Sequence, residues 1–524
     1  MSVSTDERRA RRSSIIVGAA TFLSRLLGVV RTRVLATVFG SGPTADVINF
    51  TFNIPNNFRK LFGEGAINAA IIPTFSSMGA AEERQRRGLL FRLLLTYQLL
   101  LFIPIILITY RWGEAIIAFF SDFSSASQIA LGGALLGPFM LYLLCISVAA
   151  LFGAVLQAHH RFLVAYLAPL CFSVAVIALV LVLTPIIGPM SMAVATVVGG
   201  GAQAAISYLA LRREGYRVRP ALRAANTPLF ATLKAWALVS LGMVGQVITQ
   251  LITYRFASQL ATGSVTALAN STIFYQTPYG IIFNAIAAVS LPLLATAFAT
   301  ADHSAFIRVS RRAFNNLTAL LIPAAILLFV LAHECVSVLL QSGNFTYESA
   351  QLTAQVLRGY LVFLLPTALY AMLLRVGYAV NKYRMMTVMI LLQNALDILL
   401  MWGGLRVGLG IIALPLANGI SLSVVALLLA FALTEHYSLL SDRFFWRSLL
   451  QVLLANLPLV AAGLLYRTLS PPWWAIGSTF GTLARLILIG LAFLVLLVVS
   501  YWVAKIPLLQ LLRGRGMGDY TDED

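Results

Sequence analysis

The chain has 524 residues, of which 60% are hydrophobic and only 11% are charged, and its mean hydropathy is +0.88. This composition excludes a soluble globular protein, in which about 25% of residues are charged, and indicates a membrane protein with many spans. The formal net charge of +18 would also suit a nucleic-acid-binding protein, but the distribution of basic residues among membrane loops explains it better, so no nucleic-acid partner is expected.

The polar, basic N-terminal arm MSVSTDERRARRSS leads directly into an apolar run, which favours a cytoplasmic tail over a cleavable export signal. Apolar runs long enough to cross a hydrocarbon core of about 30 Å then predict an all-α fold with about 14 transmembrane helices. The predicted spans cover residues 14–39, 45–78, 89–110, 128–156, 162–184, 190–211, 228–261, 265–299, 309–340, 349–380, 385–402, 409–434, 445–466 and 474–504.

The basic residues predict the orientation of these spans. If the N-terminus is cytoplasmic, 24 of the 37 Lys and Arg residues fall in cytoplasmic segments, and the outer connections hold only Arg111, Arg406 and Arg467. Cytoplasmic segments of membrane proteins carry such an excess. We therefore expect an even number of spans and both termini in the cytoplasm.

The first two predicted spans carry most of the charge inside the membrane. They lie in SRLLGVVRTRVLATVFGSGPTADVINFTFNIPNNFRKLFGEGAINAAIIP, from Ser24 to Pro73. A charged side chain at a helix centre costs roughly 2.5–3.5 kcal/mol on insertion scales, so such residues face a bundle interior or a water-filled cavity. We therefore predict a cationic cavity lined by Arg25, Arg31 and Arg59.

The second span is predicted to be broken, because Pro55 removes a backbone donor and glycines flank Glu64. Transporters place binding sites on broken helices of this kind. Asp46 and Glu64 are available to pair with the arginines and to act as a switch that a ligand or a proton opens. For Arg33 and Lys60, snorkelling or local pairing with acids is an equal alternative to a place in the cavity.

The connection RREGYRVRPALRAANTP, residues 212–228, has the character of a linker between lobes. The simplest architecture has an N-terminal lobe of six spans in 1–220, a C-terminal lobe of six spans in 221–440, and two further spans with a tail in 441–524. The prolines of IPNNF and YQTPYG fall in the second span of each lobe. Broken helices at corresponding positions of two halves suggest a transport site.

Three further features concern charge in later spans. Asn394 and Asp397 place amide and carboxylate oxygens one helical turn apart, which suits a hard cation such as Na⁺, although a polar pair that bonds across helices is the favoured alternative. Arg255 is the one basic residue deep in the seventh and eighth spans. Lys234 and Arg375 lie near span ends, where snorkelling is expected.

No catalytic motif is visible in the sequence, which lacks HExxH, a nucleophile elbow, a Walker A sequence and a Cys/His cluster. We expect a transporter rather than an enzyme, with no cofactor, driven by an ion gradient such as that of Na⁺, the membrane potential or the substrate gradient. Cys145, Cys171 and Cys335 lie in apolar runs and are expected to be free thiols.

The segment from Ser24 to Phe75 resembles the N-terminal signature of the MurJ (MviN) family of lipid II flippases, in the multidrug/oligosaccharidyl-lipid/polysaccharide (MOP) exporter superfamily. Looser matches follow in FASQLATGSV, SLPLLATAFA and LLQSGNFT. The resemblance implies a protein of the bacterial cytoplasmic (inner) membrane that carries an undecaprenyl-pyrophosphate-linked disaccharide-pentapeptide outward for peptidoglycan synthesis, cell-wall biogenesis and cell shape. Clustered arginines suit a pyrophosphate.

The same resemblance implies roles for particular residues. Ser24, Arg25, Arg31 and Arg59 would bind or gate the anionic headgroup, Asn56 and Glu64 would line the cavity, and Asp46 would act near the outer gate. The last two spans would resemble the pair that forms a groove for the lipid tail.

One departure from the family pattern concerns NSTIFYQTPYG in the eighth span, where Thr272 and Ile273 occupy the places of an Asp-Arg pair. The usual arginine of the C-terminal lobe is therefore missing, and we hypothesise that Arg255 replaces it in substrate binding.

The predicted mechanism is alternating access by rocking of the two lobes around the cationic cavity. The alternatives are a flippase for another undecaprenyl-pyrophosphate-linked oligosaccharide and a non-transporting scaffold for cell-wall synthesis proteins. An exporter of cationic drugs would need an acidic or aromatic cavity, and a membrane lipid phosphatase would need a paired His/Asp or a Cys nucleophile.

Overall fold

The structure is a computed structural model that describes residues 23–24, 26–64, 66–78, 84–159, 161–223, 227–435, 437–469 and 479–506. Within these ranges the regular structure is helical, apart from an isolated bridge between Ser342 and Phe345. The predicted all-α fold is therefore confirmed.

The helices in the first half of the chain are α1 (23–39, residue 25 apart), α2 (Pro43–Arg59), α3 (Ala66–Ser77), α4 (Arg84–Phe120), α5 (Ala126–Ala158), α6 (Phe162–Ile187), α7 (Met190–Arg213), α8 (Leu229–Ser258), α9 (Ser264–Pro278) and α10 (Asn284–Ala299). The helices in the second half are α11 (His303–Val330), α12 (Ala332–Leu340), α13 (Tyr347–Leu361), α14 (Leu364–Ala379), α15 (Tyr383–Arg406), α16 (Ala413–Ala432), α17 (Arg443–Ala455), α18 (Leu457–Leu469) and α19 (Thr479–Val503).

Eleven helices or continuous helix pairs in the described ranges are long and apolar enough to cross a membrane, and the pair α13–α14, bent by 47°, makes up to 12. The two predicted spans outside this set are the first two. The first is described only from residue 23, and the second is divided after Arg59 and carries several charges. The count of 14 therefore stays a prediction.

Two helices are interrupted by a π-helical turn. Lys60–Glu64 separates α2 from α3, and Tyr279–Phe283 separates α9 from α10. Proline disturbs the ladder of backbone hydrogen bonds because it lacks an N–H, and Pro55 and Pro278 lie just before these turns. The predicted break in the second span is confirmed, and the helix that contains YQTPYG is broken in the same way.

The described chain forms two compact units. The first comprises the chain up to Thr266 with Ser342–Thr346, and the second comprises Ala267–Gln341 and the chain from Tyr347 onward. In the first unit α5 is central and packs against α2, α3, α4, α6 and α7; in the second, α11 packs against α10, α13, α14, α17 and α18. The predicted lobe boundaries at 220 and 440 stay predictions.

The connection after α7 packs against the first unit. The backbone N–H of Ala221 donates to Thr96 Oγ1 at 3.0 Å, and the Tyr216 hydroxyl lies 2.8 Å from His159 Nε2. The Tyr216 ring packs edge-on against Phe91, and burial raises the pKa of Tyr216 to about 12. The part of this connection that the structure describes is therefore fixed by specific contacts.

Candidate functional site

A row of polar side chains follows one face of α2. Asp46, Asn49, Asn53, Asn57 and Lys60 are spaced by three or four residues, which places them on the same side of a helix. The Asn57 amide donates to Asn53 O at 3.0 Å and Oδ1 at 2.5 Å, and Lys60 Nζ donates to Asn57 Oδ1 at 3.0 Å. Asn57 is buried, so these bonds form a polar ladder inside the first unit.

Asp46 begins this row and is 3% exposed. Its Oδ2 accepts from Gly263 N at 2.6 Å, and its Oδ1 accepts from Thr266 N at 2.8 Å and Thr266 Oγ1 at 2.7 Å. Asn49 Nδ2 also donates to Thr266 Oγ1, at 3.2 Å. Among the described residues Asp46 makes no ion pair with an arginine. Neutral donors from Gly263, in the α8–α9 connection, and from Thr266, at the start of α9, satisfy it instead.

The end of α1 is bound by the segment 342–346 of the same unit. Asn344 N donates to Thr37 O at 3.0 Å, and Asn344 Nδ2 donates to Val38 O at 2.6 Å. Gly343 has φ +54°, and a Cβ at this position would lie 2.5 Å from Thr37 O. Because α2 begins at Pro43, shortly after α1 ends, Thr37 and Val38 are close to Asp46 along the chain.

Arg255 lies at the end of α8 in a two-bond ion pair with Asp122. Its Nε and Nη2 donate to the carboxylate at 3.2 and 3.0 Å. Ser258 Oγ accepts from Asp122 N at 2.8 Å and donates to Arg255 O at 2.7 Å. Both members of the pair are partly exposed. The role of Arg255 in substrate binding stays a prediction, and it would require this pair to open.

Two of the predicted cationic residues, Arg31 of α1 and Arg59 of α2, are close to one another. The Arg31 guanidinium lies 5.3 Å from the ring centroid of Phe172 and within electrostatic range of Arg59 and Tyr142. Arg59 ends α2 and interacts in turn with the charge of Lys60. Arg59 is therefore within electrostatic range of both Arg31 and Lys60, where α2 ends at the break before α3.

The other predicted residues of the site are placed less completely. Ser24 and Asn56 are half-buried. Arg25 and the side chain of Glu64 lie outside the described residues. The assignments of Ser24, Arg25, Arg31, Asn56, Arg59 and Glu64 to the substrate stay predictions.

Three asparagines that the sequence analysis did not select, Asn49, Asn53 and Asn57, lie on this face of α2, where Asn57 bonds to Asn53 and Asn49 bonds to Thr266. Their signal was present in the spacing, because 49, 53 and 57 are each four residues apart on a helix that also carries Asp46. A helical projection of α2 would have shown them.

In the second unit a cation faces the broken helix. The Arg375 guanidinium of α14 lies 4.5 Å from the ring centroid of Phe283 and interacts with the hydroxyl of Tyr279. Tyr279 stacks on Phe283 with the centroids 4.9 Å apart. No carboxylate pairs with Arg375 among the residues that the structure describes. The expected snorkelling residue thus contacts the aromatic rings of the π-helical turn.

Asp397 lies in a buried polar cluster between α15 and α16 and is 2% exposed. Asn418 Nδ2 donates to Asp397 Oδ2 at 2.8 Å, and Gln393 Nε2 donates to Ser421 Oγ at 3.1 Å. The hydrogen bond across helices that was the favoured alternative is therefore present. Asp397 Oδ1 and Asn394 Nδ2 have no hydrogen-bond partner among the described residues. In the same ranges no group of three His, Cys, Asp or Glu could hold a metal.

Comparison with known proteins decides the family. The model of a family described as lipid II flippase MurJ matches residues 35–485. The chain belongs to the MurJ family. A probable lipid II flippase MurJ of Borreliella burgdorferi is 26% identical over 494 residues, which cover 94% of this chain and 96% of the relative.

Two solved structures show the fold of this MurJ family member. A lipid II flippase MurJ in an inward closed conformation superposes with a TM-score of 0.75 at 22% identity, covering 93% of this chain and 99% of the other. An inward-facing multidrug resistance MATE family transporter of the MOP superfamily gives 0.64 at 14% identity, covering 79% and 96%. The predicted family, the superfamily fold and the assignment as a membrane transporter rather than an enzyme are confirmed.

Proposed function

We propose that this chain flips lipid II, the undecaprenyl-pyrophosphate-linked disaccharide-pentapeptide of peptidoglycan synthesis, from the inner to the outer leaflet of the cytoplasmic membrane. The observation that carries the proposal is the proximity of Arg31 and Arg59 inside the first unit, next to Lys60. Like charges held together in a region of low dielectric repel one another, so an anion between them is favoured. A pyrophosphate matches this arrangement because guanidinium forks bind phosphate oxygens bidentately.

Transport requires that access to the headgroup alternates between the two sides of the membrane. Asp46 accepts one hydrogen bond from Gly263, in the α8–α9 connection, and two from Thr266, at the start of α9, and these bonds must break if this end of the unit opens. The predicted gating role of Asp46 then has a simple basis: the closed state satisfies the carboxylate with backbone and hydroxyl donors, and water satisfies it in the open state.

The arginine missing from the C-terminal half has two candidate replacements. Arg255 already pairs with Asp122 through two bonds, whereas the partners of Arg375 among the described residues are aromatic side chains of the π-helical turn in the second unit. A cation–π contact contributes less than a carboxylate pair, so an anion can recruit Arg375 at a lower cost. We propose Arg375 as the cation that contacts the substrate in the second unit.

Coupling to Na⁺ is the second part of the proposal. The buried carboxylate oxygen Oδ1 of Asp397, which has no hydrogen-bond partner among the described residues, fits a hard cation that takes oxygen ligands. Asp397 and Asn394 would hold the ion, with Asn418 orienting the carboxylate. A bound ion would draw α15 and α16 together and so bias one conformation of the second unit.

The topology belongs to the same proposal. We place both termini in the cytoplasm, since α4 begins at Arg84, α7 ends with Arg212 and Arg213, and α17 begins at Arg443, all in connections predicted to be cytoplasmic. Contacts with cell-wall synthesis proteins would occur at the loops.

Complementation of a conditional bacterial strain that lacks its own lipid II flippase tests the function. We expect rescue by the wild type, loss with Arg31→Ala, Arg59→Ala or Arg375→Gln, and retention with Arg375→Lys. Losing one charge-assisted hydrogen bond to the substrate should weaken its binding about tenfold or more. The control is Arg406→Ala, since Arg406 is an exposed arginine at a helix end that also contacts a ring, that of Trp402.

Three results would contradict the proposal or part of it. Failure of a well-expressed wild type would favour another undecaprenyl-pyrophosphate-linked oligosaccharide as the substrate. Rescue by Arg59→Ala and Arg31→Ala alike would favour the non-transporting scaffold for cell-wall synthesis proteins. Loss with Arg255→Ala but not with Arg375→Gln would return the C-terminal role to Arg255.

A further inference from the structure

The second unit contains an apolar cavity of about 430 Å³ that lies apart from the residues discussed above. Helices α11, α14, α17 and α18 form most of its wall, with the end of α13. The lining is almost wholly hydrocarbon and includes Ile326, Phe329, Leu365, Leu453 and Val460. Its volume is within the range of small-molecule binding sites.

Positive charge is concentrated at one side of this cavity. Arg467 is part of the wall. Arg358 Nε donates to the backbone oxygen of Phe329 at 3.2 Å, and its guanidinium lies 6.0 Å from the ring centroid of that wall residue. The charges of Arg358 and Arg467 are close enough to interact, and both lie near the outer ends that we predict for α11 and α18.

One carboxylate accompanies these arginines among the described residues. Glu334 interacts with the charge of Arg358, and its Oε1 accepts from the Tyr466 hydroxyl at 2.9 Å. Arg485 of α19 interacts with the same hydroxyl. Among the described residues the cluster has three guanidinium groups and one carboxylate, and an excess of formal positive charge beside hydrocarbon favours an anionic ligand.

We propose that the cavity and the cluster together bind an anionic phospholipid, with its phosphate at Arg358 and Arg467 and an acyl chain in the cavity. Charge complementarity selects this occupant: a zwitterionic lipid brings no net negative charge, and a soluble anion leaves the apolar cavity unused. Basic pockets between membrane helices recognise anionic headgroups in this way. The proposal uses no contact of Arg31 or Arg59, so it does not depend on their binding the lipid II headgroup.

Native mass spectrometry of the purified full-length protein tests the site. The protein is titrated in one detergent with dioleoylphosphatidylglycerol and, in parallel, with dioleoylphosphatidylcholine, which carry the same acyl chains. We expect preferential retention of one phosphatidylglycerol. Arg467→Gln should weaken this retention roughly tenfold, because a charge-assisted hydrogen bond to phosphate is lost.

Two further variants separate the charge from the cavity and from folding. Ala325→Phe fills the cavity and leaves every arginine in place, so it should also lower phosphatidylglycerol retention. Arg406→Gln removes an exposed arginine of the same unit that stacks on Trp402 and should leave retention unchanged.

Equal retention of the two lipids by the wild type, or unchanged retention in both Arg467→Gln and Ala325→Phe, would overturn the proposal. A competition with undecaprenyl phosphate tests the other occupant. If this polyprenyl phosphate displaced phosphatidylglycerol at a much lower concentration, the site would belong to the tail of a lipid-linked substrate and the phospholipid assignment would be wrong.

Discussion

Asp46 joins α2 to Gly263 and to Thr266 at the start of α9 through neutral donors, so its contribution to stability depends on hydrogen bonds rather than on an ion pair among the described residues. We predict that Asp46→Asn exposes this contact, because an amide cannot accept all three bonds and a lost bond to a charged group costs about 1.5–3 kcal/mol. The exposure of this contact is measured by labelling Val265→Cys with a membrane-impermeant maleimide, in a protein from which Cys145, Cys171 and Cys335 have been removed. Val265 is buried, so labelling reports that the contact has opened.

Two variants of Thr266, which donates to Asp46, provide the control. Thr266→Ser keeps the hydroxyl that bonds Asp46 and should label like the parent, whereas Thr266→Val removes one of the three bonds and should label to an intermediate extent. Equal, low labelling of Asp46→Asn and the parent would show that these bonds do not hold the segment closed.

At the same scale, the sequence identified the charged residues of the site better than their partners. Arg31 and Arg59 could be selected because charge in an apolar run is costly and therefore conspicuous. The partners of Asp46 could not, because Gly263 and Thr266 are 217 and 220 residues away along the chain and their backbone groups leave no sequence signal. Asn57 could have been distinguished from the adjacent Asn56 by a helical projection, since 49, 53 and 57 are each four residues apart and share a face with Asp46.

At the scale of elements, breaks in helices were predictable and their form was not. Proline and glycine in the second span indicated an interruption, and the structure has a π-helical turn at Lys60–Glu64. The equivalent turn at Tyr279–Phe283 follows Pro278, but its contact with Arg375 depends on how α14 packs. Local chemistry determines where a helix is weakened, and tertiary packing determines which cation meets the break.

The contact between α1 and the segment 342–346 requires a glycine at position 343, which gives a prediction for stability. Gly343→Ala should lower the melting temperature of the purified protein, because a positive φ costs an L-residue about 1–2 kcal/mol and the added methyl group would also meet Thr37 O at 2.5 Å. Gly410→Ala is the matched control, since Gly410 has φ +57° but open space around its Cβ position.

The difference in melting temperature between these two variants measures the effect of the close approach of the segment to α1. Both should be destabilised by backbone strain, and Gly343→Ala should lose more. Equal shifts in melting temperature would mean that the segment moves away from α1 at no cost.

At the scale of the whole molecule, composition predicted the class of the protein and its helical fold because bilayer thickness and hydropathy constrain every span. The number of spans was harder to establish. The first two spans carry the charges of the site, and the same charges and breaks make them poor membrane helices by composition. The residues needed for substrate binding therefore lower the hydropathy by which spans are recognised, and they do so in the spans where the substrate is expected to bind.

Energy coupling gives the last prediction. If Asp397 and Asn394 hold Na⁺, the protein should melt at a higher temperature in NaCl than in KCl at equal ionic strength, because a ligand that binds only the folded state stabilises it by RT ln(1 + [L]/Kd). Asp397→Asn should abolish this difference, since it removes the unpaired carboxylate oxygen. Asp302→Asn is the control: Asp302 is an exposed helix cap that accepts from Ala305 N, so this variant should retain the difference. If the wild type melted identically in the two salts, Asp397 would serve only as the cross-helix partner of Asn418. Transport by this flippase would then be driven by the membrane potential or the substrate gradient.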